Sequence, residues 1–97
     1  MVGMQPEHGG RIELWLEAQN GHEVVYAAEL CTPQTSVSGR ARIALSDGSV
    51  RFELTSSPPE WLGDVARGVL RSLWRSHAEA GWPRRITRWR AGPEAVP

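Results

Sequence analysis

Lysine is absent from this chain: all eleven of its cationic side chains are arginine. Arginine is written with GC-rich codons and lysine with AT-rich ones, so this composition points to a GC-rich, bacterial genome. Selection for planar bidentate donors would leave the same mark. Cysteine is nearly absent as well. Cys31 stands alone, which excludes an internal disulfide, and the first ten residues show no basic segment leading into an apolar one. Both features point to the cytoplasm rather than to secretion. A single thiol in an apolar run reads as a small buried hydrophobe, not a nucleophile. No apolar stretch approaches the ~20 residues of a membrane-spanning helix, so no membrane partner is expected.

The motifs of catalysis are missing too. His8, His22 and His77 fall in three separate places, so metal-ligand spacing is absent and no metal or cofactor is expected. The run Gly63 to Gly68 lacks the Lys-Ser/Thr continuation of a phosphate-binding loop. No serine occupies a nucleophile-elbow pattern. The chain therefore reads as non-catalytic.

What is present fits one domain of 97 residues. The hydrophobic share of 40% and charged share of 23% are those of a folded globule, which argues against global disorder. Residues 1–10 read as a loose lead-in, 11–55 as a sheet, 59–80 as a helix and 81–97 as an Arg/Trp-rich tail whose last residues, from Gly92, fray.

Within the sheet, Ile12, Leu14, Leu16 and Ala18 alternate with Arg11, Glu13, Trp15 and Glu17, the period of a strand with one buried face. A second run follows Asn20-Gly21, a hairpin signal. A three-residue loop, Gln19-Asn20-Gly21, pairs Leu16 with Val24, Leu14 with Tyr26 and Ile12 with Ala28, so that every inward side chain is apolar. Gly21 then takes the left-handed position of a bulge. On these faces Leu14→Ala should cost ~2–5 kcal/mol and Glu13→Ala no more than ~0.5. A second hairpin turns at Asp47-Gly48 and pairs Leu45 with Val50, Ile43 with Phe52 and Ala41 with Leu54, with Arg42 opposite Glu53.

Ser57 is placed to cap a helix starting near Pro59. Leu62, Val65, Ala66, Val69, Leu70 and Leu73 form one apolar stripe, and Gly81 with Trp82-Pro83 ends it. The expected fold is α+β: a four-stranded antiparallel meander with one C-terminal amphipathic helix packed on one face, in the order β-β-β-β-α. Arg84 to Arg90 forms either a short edge strand or an extended tail held by Ile86 and Trp89.

Formal charge sums to zero but is unevenly placed. Val65 to Arg90 holds seven arginines and one acid, a local charge of +6, and the rest of the chain carries −6. Glu13, Glu17, Glu23 and Glu29 share the open sheet face with Arg40, Arg42 and Arg51, either as a solvated surface or as a docking face around Trp15. Trp61, Trp74, Trp82 and Trp89 all lie in the last 37 residues. Trp61 and Trp82 read as seals at the two ends of the helix. The candidate partner-binding residues are Arg67, Arg71, Trp74, Arg75, Arg84, Arg85, Arg88 and Trp89, with Arg67, Arg71 and Arg75 on a ridge away from the sheet and Trp74 at its margin. Arginine and tryptophan are the types enriched where proteins dock. The reading is a non-catalytic adaptor or regulatory module that binds another protein or a second copy of itself. The alternative is a nucleic-acid-binding domain using the same residues, Arg on phosphates and Trp on bases.

Overall fold

The computed structural model describes residues 8–91; the frayed end expected from Gly92, and all but the last residues of the expected lead-in, lie outside the described residues. Six elements follow one another: β1 (Gly10–Gln19), β2 (Glu23–Cys31), β3 (Ser36–Ala44), β4 (Val50–Leu54), α1 (Glu60–Ala80) and β5 (Arg85–Arg90). The strands make one antiparallel sheet in the order β4-β3-β2-β1-β5. The first four are the expected meander. The segment after the helix is the edge strand, and it returns to pair with β1 because Ile86 is buried there opposite Leu14.

The helix stripe closes the second layer. Leu62, Ala66 and Leu70 are buried against Ile12, Leu14, Tyr26, Leu30 and Ile43 of the sheet, each large side chain contributing roughly 1.5–3 kcal/mol. Pro59, not Ser57, holds the N-cap, and no side chain caps the helix. The Pro59 carbonyl accepts from Leu62 and Gly63 at 3.0 Å. Ser57 lies two residues too early to reach the first turn. At the other end Gly81 stops the helix as expected, at φ 75° with its N–H on the His77 carbonyl. Among the described residues no helix is long and apolar enough to cross a membrane.

The first hairpin departs from the expected register. Ile12 faces Leu30, Leu14 faces Ala28 and Leu16 faces Tyr26; the ladder then shifts at Glu17, so that Ala18 faces Val25 and Gln19 faces Val24. Gly21 is not left-handed. Instead the Asn20 side-chain oxygen accepts from the backbone N–H of His22 at 2.7 Å and of Glu23 at 3.0 Å, tightening the turn. Extended without interruption, that turn's register would set Glu29 beside Leu14 on the core face. The extra residue Glu17 removes the conflict by moving the pairing one step. It also turns Ala18, expected inside, to the open face, where it is exposed.

The second hairpin slips in the same way. Ile43 pairs with Val50, Ala41 with Phe52 and Gly39 with Leu54, and Arg42 faces Arg51 rather than Glu53. The connection is longer than Asp47-Gly48: the Gly48 N–H reaches back to the Ala44 carbonyl at 2.8 Å and the Ala44 N–H takes the Ser49 carbonyl at 2.9 Å. Trp74 shapes this turn. Its indole N–H donates to the Leu45 carbonyl at 3.0 Å and its ring lies against Gly48, which has φ 75°. In the second hairpin, and in the first as far as Leu16, the slip is two residues, so the inward and outward sets of those segments survive; only beyond the bulge, at Ala18, do the faces exchange.

Candidate functional site

The open sheet face is a closed set of charge pairs. Arg40 meets Glu17 at 2.7 Å; Arg42 meets Glu23 at 3.0 Å and Glu53 at 3.1 Å; Arg51 reaches Glu53 at 3.7 Å. At the β5 side, Arg11 spans Glu13 at 3.3 Å and Glu29 at 2.9 Å, and Arg85 meets both Glu13 carboxylate oxygens at 3.0 Å. The acids of β1 and β2 thus find their cations on β3, on β5 and on β1 itself, where Arg11 serves both Glu13 and Glu29. Arg11 and Glu13 are each only 5% exposed, with Arg11 over the Trp89 ring at 5.9 Å and Arg85 over Trp15 at 5.7 Å. Burial pushes the Glu13 carboxyl up, but hydrogen bonds from Arg85 and Thr87 and the charges of Arg85 and Arg11 outweigh it, and the group ends below the ordinary carboxylate range.

The sequence-derived candidate residues do not form one surface. Trp74 is half-buried and spent on the Leu45–Gly48 turn. Arg67 is exposed but belongs to the β4 edge, where it donates to the Val50 carbonyl and lies 5.1 Å from the Phe52 ring, so the expected ridge away from the sheet loses its first member. Arg71 is exposed with its charge felt by Asp47, whose carboxyl is held low first by the Ser49 hydrogen bonds and further by Arg71. Arg75 and Arg84 are exposed. Arg85 and Trp89 share the open face with Glu13 and Arg11, whereas Arg88 lies on the helix side. The two-residue period of β5 makes this division inevitable. Trp61 and Trp82 seal the core as expected. The Trp61 ring and Leu62 crowd Gly10 so closely that a Cβ there would come within 2.7 Å of Leu62, and Trp82 stacks on His77 at 5.0 Å and tilts on Tyr26 at 6.3 Å.

The helix leans toward β4 through Arg67 and Trp74, and on its other flank a groove of about 380 Å³ opens between α1 and β5. Val65, Gly68, Val69, Ser72 and Leu73 form its helical wall, Arg88 and Arg90 its strand wall. Arg90 was not singled out from the sequence; the alternation Ile86, Arg88, Arg90 was the available signal. No ion pair among the described residues includes Arg67, Arg71, Arg75, Arg84, Arg88 or Arg90.

The backbone of β5 adds a second feature. Leu16 N–H donates to the Arg84 carbonyl at 2.8 Å, so alternate residues Ile86, Arg88 and Arg90 direct their backbone groups to β1 and Arg85, Thr87 and Trp89 direct theirs outward. Arg88 donates to the outward Thr87 carbonyl at 3.0 Å and Arg90 to the outward Trp89 carbonyl at 2.9 Å. Trp89 itself is 56% exposed.

Among the described residues, the thiol and the helix imidazole are both engaged within the fold. Cys31 is fully buried beside Arg11 and Ser36. The His77 ring is taken by the Trp74 carbonyl and the Trp82 stack. Among the described residues no three His, Cys, Asp or Glu side chains gather closely enough to hold a metal ion. Comparison with protein-family models, curated proteins and solved structures returns no match.

Proposed function

We propose that this protein is a non-catalytic interaction module that docks on another protein through the α1–β5 side, with Arg88 and Arg90 at the groove and the exposed Arg75 and Arg84 beyond it. One observation carries the reading: every arginine of the open face has a glutamate partner, whereas those of the α1–β5 side have no ion pair among the described residues. Cations left unneutralised beside an apolar wall suit an acidic protein surface. Trp89 is exposed on the opposite face of the same edge strand, where a partner reaching over the β5 edge would meet an aromatic contact. A single buried thiol, Cys31, suits a cytoplasmic setting.

Size exclusion with light scattering tests this against the nucleic-acid alternative. The expected result is co-elution with poly-glutamate at low salt, lost in the Arg88→Glu/Arg90→Glu variant, and no shift with mixed nucleic acid. A salt-sensitive shift with nucleic acid and none with poly-glutamate would overturn the proposal.

A further inference from the structure

Building on the docking role proposed above, we infer that β5 takes its partner by strand addition: an extended acidic segment of another protein pairs with the outer edge of β5 and sets carboxylates on Arg88 and Arg90. The outer edge offers the N–H and C=O groups of Arg85, Thr87 and Trp89, the pattern an added strand requires. Among the described residues, two of those carbonyls are covered only by the exposed guanidinium groups of Arg88 and Arg90. An incoming backbone N–H replaces each guanidinium on its carbonyl, and the released cation turns to a carboxylate of the same strand. Side chains of an added strand that lie opposite Arg88 and Arg90 are two residues apart and point to the helix side. The recognised chemistry is therefore a pair of carboxylates at alternating positions of an extended chain.

The opposite edge is less available. β4 has five residues, and Arg67 from the helix already covers its outward Val50 carbonyl. A second copy is a poorer occupant of β5 than an acidic segment. In a two-fold pairing centred on Thr87, Arg84 of one copy lies opposite Arg90 of the other, and like charges directly opposite each other repel.

The probe is a fluorescein-labelled, end-blocked peptide of alternating glutamate and valine, about eight residues long to exceed the edge it pairs with. Three measurements decide the matter. Fluorescence anisotropy is expected to show binding that weakens by about tenfold or more in Arg88→Glu/Arg90→Glu, with the thermal midpoint kept. A peptide N-methylated at the amides that face β5 is expected to weaken by a similar factor, because it keeps the charges and loses the backbone donors. Hydrogen exchange is expected to be fast at the Thr87 and Trp89 amides in the free protein and slowed in the complex, with the Arg88 amide protected in both. Equal binding of the N-methylated peptide would overturn strand addition while leaving arginine-dependent docking intact. No binding of the unmodified peptide, binding that survives the charge reversal, or dimerisation of the protein through β5 would each overturn the inference outright.

Discussion

The Trp74 ring lies so close to Gly48 that a Cβ at that glycine would fall 2.5 Å from the indole. Gly48 also sits at φ 75°, where a side chain costs roughly 1–3 kcal/mol by itself. Gly48→Ala should therefore destabilise by at least that amount in urea denaturation. In a double-mutant cycle with Trp74→Ala the two costs should fall short of additive by more than ~0.5 kcal/mol, since removing the ring removes the clash. Strict additivity would mean that the ring does not press on the turn.

Glu13 reverses an expectation drawn from its place on the open face. It is 5% exposed and holds Arg85, Thr87 and Arg11, so Glu13→Ala should cost about 1–3 kcal/mol, not the half kilocalorie of a solvated residue. Its carboxyl is lowered in the folded state. The associated stability is present above the ordinary carboxylate pKa and is lost as pH falls through the lowered folded value. Urea titrations at a series of acidic pH values should show a shallower loss in Glu13→Gln than in the parent protein. Identical slopes would place the carboxylate in solvent.

Glu17 is the extra residue of the β1 bulge, and deleting it should be tolerated. Its neighbours Leu16 and Ala18 already face consecutive residues, Tyr26 and Val25, so the deletion joins two segments that are separately in register. The exposed pair with Arg40 would be lost, a matter of at most ~1 kcal/mol. Cross-strand amide contacts should still join Leu16 to Tyr26 and Ala18 to Val25. A collapse of stability would show that the bulge itself is required.

Tyr26 is fully buried and donates its hydroxyl to the Pro83 carbonyl at 2.7 Å. Burial pushes the phenol up to about 12. The unfolded chain releases this proton near the ordinary value of about 10, so the native state binds more protons between those values and stability must fall as pH rises across that window. Tyr26→Phe should cost about 1 kcal/mol near neutrality and flatten the alkaline limb of the stability curve. An unchanged limb would assign the alkaline loss to another group.

The period-two and helical patterns identified the faces of Ile12, Leu14 and Leu16, the Leu62-to-Leu73 stripe and the stop at Gly81. They did not identify the registers, because a slip of two residues leaves the inward set unchanged and so escapes any argument from burial, and they did not reveal the bulge that turns Ala18 outward. Asn20, holding two backbone N–H groups, and Trp74, folded over Gly48 from far along the chain, decide those slips. Nor did the patterns separate the arginines. Arg85 and Arg88 look alike in the sequence, yet one faces Glu13 and the other the groove.

From its residues alone this chain was committed to a meander and a helix across one face, because periodicity and turn residues act over a few positions and need no partner. The same residues leave open whether the C-terminal segment returns as a strand. Which charges are neutralised was decided only by the tertiary structure. Glu13 meets Arg85 because β5 comes back beside β1, and an ion pair is set by spatial distance, which sequence separation does not measure.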